Sequence, residues 1–217
     1  MPVITVSGFH GVGKSEVARY LAKNLNLRYV SAGAIFRQEA AKRGLSLEEF
    51  SRIAKDNPAI DRLIDERTRE EAKKGNVVLD GLLAGRMARE YADVKIRLYA
   101  PLDVRVRRIA ERDKKPYEEA LHETIIRETL ERERFYEFYA IDLDDLRIYD
   151  IVLNTAKLTL QDLREIVLIS VKRMLSLSGG DRNDRGRQDR SEDYGSRRWT
   201  LRGSSEGRRG RSASNGS

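Results

Sequence analysis

The sequence predicts an α/β protein, with a parallel sheet covered by helices on both faces. Two observations carry this. Five short apolar runs that read as strands alternate along the chain with longer stretches of helical period, the pattern of a parallel sheet with crossover helices. Two of the strand runs also lack a polar face. Val3-Ile4-Thr5-Val6 and Val77-Val78-Leu79 are almost continuously apolar, as strands buried on both sides should be.

The first strand leads into Gly8-Phe9-His10-Gly11-Val12-Gly13-Lys14-Ser15, which fits G-x-x-x-x-G-K-[ST]. The spacing has a physical purpose. Glycines let the backbone turn at positive φ and approach a polyphosphate closely, and successive N–H groups form an anion nest at a helix N-terminus. Lys14 can reach the β- and γ-phosphates, and the Ser15 hydroxyl can ligate Mg2+. All eight residues are expected to line a nucleotide's phosphates, with His10 filling a variable position rather than acting as an acid or base. A helix follows to about Asn24, its Val17, Leu21 and Leu25 four apart.

Leu27 to Val30 reads as the second strand, and Ser31-Ala32-Gly33 as a turn into a helix carrying Ile35, Phe36 and Arg37. Arg37 suits either an acceptor phosphate or the surface. Gly44 stops that helix, and Ser46 with Glu49 forms a capping box for the next. Pro58 opens a helix to about Lys74, with Ile60, Leu63 and Ile64 on one face, and Gly75-Asn76 ends it. The third strand runs from Val77 and closes on Asp80-Gly81. Asp80 suits either a carboxylate holding a Mg2+ water or the N-cap of a helix over Ala84 to Tyr91. Its strand-end position favours the metal.

Val94 to Ala100 alternates as a fourth strand. Pro101 opens a helix to Arg112, and Pro116 opens a long charged helix to about Tyr139. The arginines of these two helices, from Arg105 to Arg112 and then Arg127, Arg132 and Arg134, fit two roles. A closing lid would present them to transferring phosphate, or they form solvated pairs such as Glu128–Arg132 at i,i+4. Asp142 to Asp145 is a polar turn, Tyr149 to Asn154 the fifth strand. Thr159 caps a last helix to Leu175, with Leu163, Ile166, Val167, Ser170 and Met174 inward. No nucleophile–base pair stands out, which favours direct phosphoryl transfer in a closed site.

Composition sets the frame. The chain has 217 residues, no cysteine and two histidines far apart, His10 and His122, so neither a disulfide nor a zinc site is expected. No apolar run approaches membrane-spanning length and the first residues form no secretion signal, so a soluble cytoplasmic protein is expected. The formal net charge is +7, and residues 176–217 contribute ten arginines against six acids. From residue 178 apolar side chains nearly vanish, which predicts one domain over 1–177 and a disordered Arg/Gly/Ser-rich tail over 178–217. Arg-Gly and Arg-Ser pairs near Tyr194 and Trp199 suit weak RNA contact or a solubilising extension.

Several stretches together resemble the archaeal-type cytidylate kinases, a branch of the nucleoside monophosphate kinases. They are the phosphate loop, Val30-Ser31-Ala32-Gly33-Ala34-Ile35-Phe36-Arg37, Leu45 to Phe50, Gly75 to Gly81, Ala100 to Arg105, Tyr139 to Asp142 and Ile148 to Thr155, nearly the whole of residues 1–175. The resemblance implies a three-layer P-loop fold with strand order 2-3-1-4-5, a monophosphate-binding helical region and a lid. It implies transfer of the ATP γ-phosphate to CMP or dCMP with Mg2+. A monomer is expected separately from the resemblance. By motif, Ser31, Gly33 and Arg37 look like acceptor ligands, Arg127, Arg132 and Arg134 like lid arginines, and Arg112 like a residue near ATP. Many relatives carry an acid-Gly-Arg run after the third strand whose arginine meets the acceptor phosphate; this sequence has Asp80-Gly81-Leu82. Arg86, one helical turn on, is the candidate substitute. Otherwise the acceptor phosphate relies on Arg37 and the lid. The alternatives are another small-molecule or AMP kinase on the same scaffold, and a nucleotide-dependent RNA-associated protein acting through the tail.

Overall fold

Residues 1–180 are described by a computed structural model, with side chains through residue 177. The disorder and RNA contact expected of the tail fall outside the described residues, except that residues 178–180 continue the last helix. In chain order the elements are β1 (Val3–Ser7), α1 (Lys14–Leu25), β2 (Arg28–Ser31), α2 (Ala32–Lys42), α3 (Leu47–Asp56), α4 (Pro58–Lys74) and β3 (Val77–Asp80). There follow α5 (Ala84–Met87), β4 (Val94–Tyr99), α6 (Leu102–Asp113), α7 (Tyr117–Tyr139), β5 (Ile151–Asn154) and α8 (Leu160–Gly180).

The five strands form one parallel sheet in the order β2-β3-β1-β4-β5. β1 is therefore central, and the loop leaving it opens at the carboxyl edge of the sheet, where open α/β sheets bind ligands. Side chains alternate between two buried faces. Ile4, Val6, Val78, Ile96 and Leu98 meet Val17 and Leu21 of α1 and Leu163, Val167 and Val171 of α8. On the other face Val3, Val77 and Leu79 pack with Ala72, Ala84 and Ala88. The same period puts Asp80 on the α1 face with Val78, and Arg97 on the opposite face from Ile96. A separate cluster of Ile35, Phe36, Phe50, Ala54, Ile60 and Ile64 ties α2, α3 and α4 together, with the Phe36 and Phe50 rings 4.7 Å apart. Both bonds of the Ser46–Glu49 capping box are present.

Five local expectations need correction. Ser31-Ala32-Gly33 is not a separate turn: β2 passes directly into α2, with the Ser31 hydroxyl accepting from the Ala34 amide as N-cap. The helix expected to Tyr91 stops at Met87. β4 does not alternate, because both faces of a central strand are covered and Ile96, Arg97 and Leu98 are all buried. In α4 the buried stripe is Ile60, Asp61, Ile64, Thr68 and Ala72, so Leu63 is 47% exposed. In α8 the stripe is Leu163, Val167 and Val171 in steps of four, which leaves Ile166 40% exposed and Ser170 half-buried.

Candidate active site

The phosphate loop takes the conformation its glycines permit. Gly8, Gly11 and Gly13 have φ of 148°, 79° and 91°. A Cβ on Gly8 would lie 2.3 Å from the Leu98 carbonyl oxygen, and one on Gly11 2.5 Å from that of Arg105. Both positions therefore exclude any other residue on two grounds, backbone conformation and space. The loop ends on α1, whose N-cap is Gly13, so the free amides of its first turn face the loop. Lys14 arches back, with Nζ donating to the Phe9 carbonyl at 2.8 Å. Burial lowers its pKa to about 8; Asp80 and Glu131 pull it up, while Arg127 and Arg97 push it down.

Asp80 sits at the carboxyl end of β3, 3% exposed. Its Oδ2 accepts from Ser15 Oγ at 2.6 Å and from Tyr29 Oη at 2.9 Å. It does not cap α5, whose N-cap is Leu83, so of its two expected roles only the one beside Ser15 has geometric support. The donor set fits Mg2+. Both groups offer hard oxygens, and no group of three or more His, Cys, Asp or Glu among the described residues could cage a metal. A magnesium ion typically takes one or two protein oxygens and shares the rest with water and substrate phosphates.

α7 closes over the loop through named contacts rather than as a free lid. His10 Nε2 donates to both oxygens of Glu131, at 3.0 and 2.9 Å, and Arg127 Nε donates to Glu131 Oε1 at 3.3 Å. Burial lowers the His10 pKa to about 4, which leaves the ring neutral and its Nε2–H a donor. Burial disfavours ionised Glu131, but His10, Arg127 and Arg134 outweigh it and hold the carboxyl well below the usual range. Arg105 of α6 makes a bidentate pair with Glu128 of α7, while its Nη1 also donates to the His10 carbonyl at 3.1 Å. Phe9 is ringed by three guanidiniums, with Arg132, Arg97 and Arg105 at 4.6, 5.1 and 5.5 Å from its centroid.

The expected arginines separate into groups. Arg37 lies exposed on α2, and Nη1 is 3.5 Å from where a Cβ on Gly33 would stand, so the guanidinium folds over the first turn of that helix. It has no ion-pair partner among the described residues. Arg127 joins the His10–Glu131 pair at the loop. Arg132 reaches Asp144 at 2.7 Å while covering Phe9. Arg134 departs from the expectation of a lid arginine. It is 3% exposed, packs on Phe36 and Phe135, and its Nε lies 2.8 Å from the Asp61 carboxylate of α4. Burial raises the Asp61 pKa to about 7 against the pull of Arg134. Arg112 also departs: its side chain is 67% exposed and pairs with the adjacent Asp113 at 2.7 Å, at the far end of α6 from the loop.

Arg86 is committed as well. Its Nη2 donates to the Asp142 and Asp145 carbonyls, both at 2.9 Å, and pins the segment before β5 instead of replacing an arginine at position 82. Leu82 and Leu83 join the apolar cluster of Phe9, Phe135 and Leu143. Glu128 does not form the solvated i,i+4 pair with Arg132 that spacing suggested, and the buried Glu131 pairs with Arg127 at the loop. Sequence inspection passed over Tyr29, Glu131 and Arg97. Tyr29 and Glu131 meet the loop only once strands and helices are paired. Arg97 alternates with Lys95 between apolar residues of the fourth strand, and that pattern does not set it apart.

A family described as the AAA domain matches residues 4–135. The cytidylate kinase of Staphylothermus marinus is 51% identical over 175 residues, which span 81% of this chain and 99% of that protein. Those of Pyrobaculum neutrophilum and Halobacterium salinarum are 49% and 48% identical, over 77% and 78% of this chain and 91% and 88% of theirs. The chain belongs to the cytidylate kinase family. Solved kinases with the same fold lie further away. A gluconokinase from Sinorhizobium meliloti has a TM-score of 0.53 at 18% identity, covering 81% of this chain and 94% of that one. Shikimate kinase from Acinetobacter baumannii, solved with shikimate, has a TM-score of 0.51 at 19% identity, over 80% and 94%. At that identity they speak for the fold of this cytidylate kinase relative and nothing finer.

Proposed function

We propose that the protein transfers the γ-phosphoryl group of ATP to CMP or dCMP, releasing ADP and the pyrimidine nucleoside diphosphate. The donor half of the reading rests on the loop from Gly8 to Ser15 at the central strand. The observation that carries the acceptor is half-identity along almost the full length of several proteins named cytidylate kinase.

In this reading the Gly8–Ser15 backbone amides hold the donor phosphates, and Lys14 supplies a positive charge that follows the transferring group. Lys14 Nζ, which donates to the Phe9 carbonyl, turns to phosphate oxygen. Ser15 and Asp80 would hold Mg2+, whose chemistry is charge neutralisation across the phosphates. Arg37, with Ser31 and Gly33 at the start of α2, holds the acceptor phosphate. Arg127 and Arg132 lie beside the loop and stabilise charge on the equatorial oxygens through fork-shaped hydrogen bonding. Arg134 acts from a distance, fixing α7 against α4 through Asp61. Arg86 shapes the acceptor side by fixing the segment before β5, and the acceptor phosphate relies on Arg37 and the α7 arginines. No covalent intermediate is needed: the two substrates meet in line, and the chain contributes position and charge.

The test is the initial rate with ATP and Mg2+ against CMP, dCMP, UMP, AMP and dTMP. The expected result is a dominant kcat/KM for CMP and dCMP. A preference for AMP would sink the acceptor assignment while leaving the donor half standing.

A further inference from the structure

Asp80 receives two hydrogen bonds on one oxygen. Oδ2 accepts from Ser15 Oγ at 2.6 Å and from Tyr29 Oη at 2.9 Å, while Oδ1 accepts no hydrogen bond among the described residues. The sheet builds this arrangement. β2 pairs with β3 so that Tyr29 faces Val78 and Ser31 faces Asp80. Tyr29 and Asp80 are thus diagonal neighbours on one face, two residues apart in register, and the tyrosine hydroxyl spans the gap. The ring itself is fixed: it packs on the core cluster of Ile4, Val17 and Val78, and the Arg19 guanidinium lies 5.4 Å over its face. A phenylalanine would fill the same space. Only the hydroxyl reaches the carboxylate.

We infer that Tyr29 is a positioning residue for the divalent cation, acting through Asp80. The inference rests on the reading of Asp80 as a ligand to Mg2+ or to its bound water. The Ser15 hydroxyl can donate its proton to Asp80 while keeping lone pairs for a cation. Tyr29 adds the second donor to the same oxygen, so two bonds set the rotation of the carboxylate and Oδ1 remains for the cation or its water. A single donor would leave that rotation loose. Partners of this kind typically alter metal affinity about 10–100-fold.

The experiment compares Tyr29→Phe and Asp80→Asn with the wild-type full chain in two measurements. One is the affinity for a non-hydrolysable ATP analogue without metal, by calorimetry in EDTA. The other is the affinity of the protein–analogue complex for Mn2+, by electron paramagnetic resonance. Tyr29→Phe should bind the metal-free analogue as the wild type does, which also shows that the loop is folded, and should bind Mn2+ about ten-fold more weakly. Asp80→Asn should be weaker still. Unchanged Mn2+ affinity in Tyr29→Phe beside a weakened Asp80→Asn overturns the role of Tyr29 alone. Unchanged affinity in both overturns the reading of Asp80 as well. Equal loss of metal-free and metal affinity in Tyr29→Phe also overturns the inference, because the hydroxyl would then be supporting the loop rather than the cation.

Discussion

At the scale of single residues, Lys14 is the group whose chemistry can be read most directly. Burial depresses its pKa to about 8. A polyphosphate placed against the ammonium favours the charged form and raises that value again. Above pH 8 nucleotide binding should therefore take up a proton, and below about pH 7 it should not. Calorimetry at pH 8.5 in buffers of different ionisation enthalpy measures the uptake, and Lys14→Met should abolish it along with transfer. Arg37 has a different signature. It is exposed and has no ion-pair partner among the described residues, so Arg37→Ala should leave folding intact and chiefly raise the acceptor KM, by about ten-fold or more as loss of a charged hydrogen bond would, with the ATP KM nearly unchanged. Acceptor kinetics that do not move would remove Arg37 from the site. Lys14 was legible in the sequence because it lies inside a short local motif, whereas the residues alone left Arg37 between acceptor phosphate and surface. Tyr29 was not legible, because its importance depends on a strand pairing that brings it to Asp80, 51 residues away.

At the scale of elements, the contact between the phosphate loop, α6 and α7 decides how the α7 arginines are held. Arg105 and Glu128 form its buried centre, with Arg105 also gripping the His10 carbonyl. Breaking a buried pair by removing one partner costs about 3–5 kcal/mol when the remaining charge cannot be relieved. Glu128→Gln leaves a guanidinium that cannot deprotonate, so it should cost about 3 kcal/mol in urea unfolding. Arg105→Met should cost less, because burial already raises the Glu128 pKa and the carboxyl can take up a proton. The reverse order of severity would mean that the bonds from Arg105 to the loop matter more than its pairing. The helix limits were readable, as Pro58–Lys74 and Tyr117–Tyr139 show, because proline starts and glycine stops act locally. The partners of the charges on those helices were not. Spacing at i,i+4 is a property of one helix, while Glu128 and Arg132 each found a stronger partner on another segment.

At the scale of the whole molecule, the buried polar centre makes stability depend on pH. His10 has a folded pKa of about 4 against an unfolded value of 6.5. The unfolded chain therefore binds more protons between those values, and this residue makes stability fall as the pH drops from 6.5 to 4. Asp61, whose folded pKa is raised to about 7, contributes with the opposite sign across the same window. A comparison of variants separates the two. His10→Gln should lose less stability than the wild type between pH 6.5 and 4, the difference being at most about 1.4 kcal/mol per pH unit. Parallel curves for the two proteins would mean that the His10–Glu131 pair does not titrate with unfolding.

What the sequence determined by itself was everything that local rules encode. It contained the phosphate loop, the glycines whose backbone only they can adopt, most of the helix boundaries, and the unbroken apolar runs that require a sheet covered on both faces. The tertiary structure alone decided which arginines face the loop. Arg134 was drawn to Asp61 and Arg86 to the Asp142 and Asp145 carbonyls, while Arg105, Arg127 and Arg132 stayed beside the loop, paired with Glu128, Glu131 and Asp144. The physical reason is that a guanidinium's role depends on the carboxylates and carbonyls that surround it after folding. Those neighbours come from segments far apart in the chain, and no spacing within one helix specifies them.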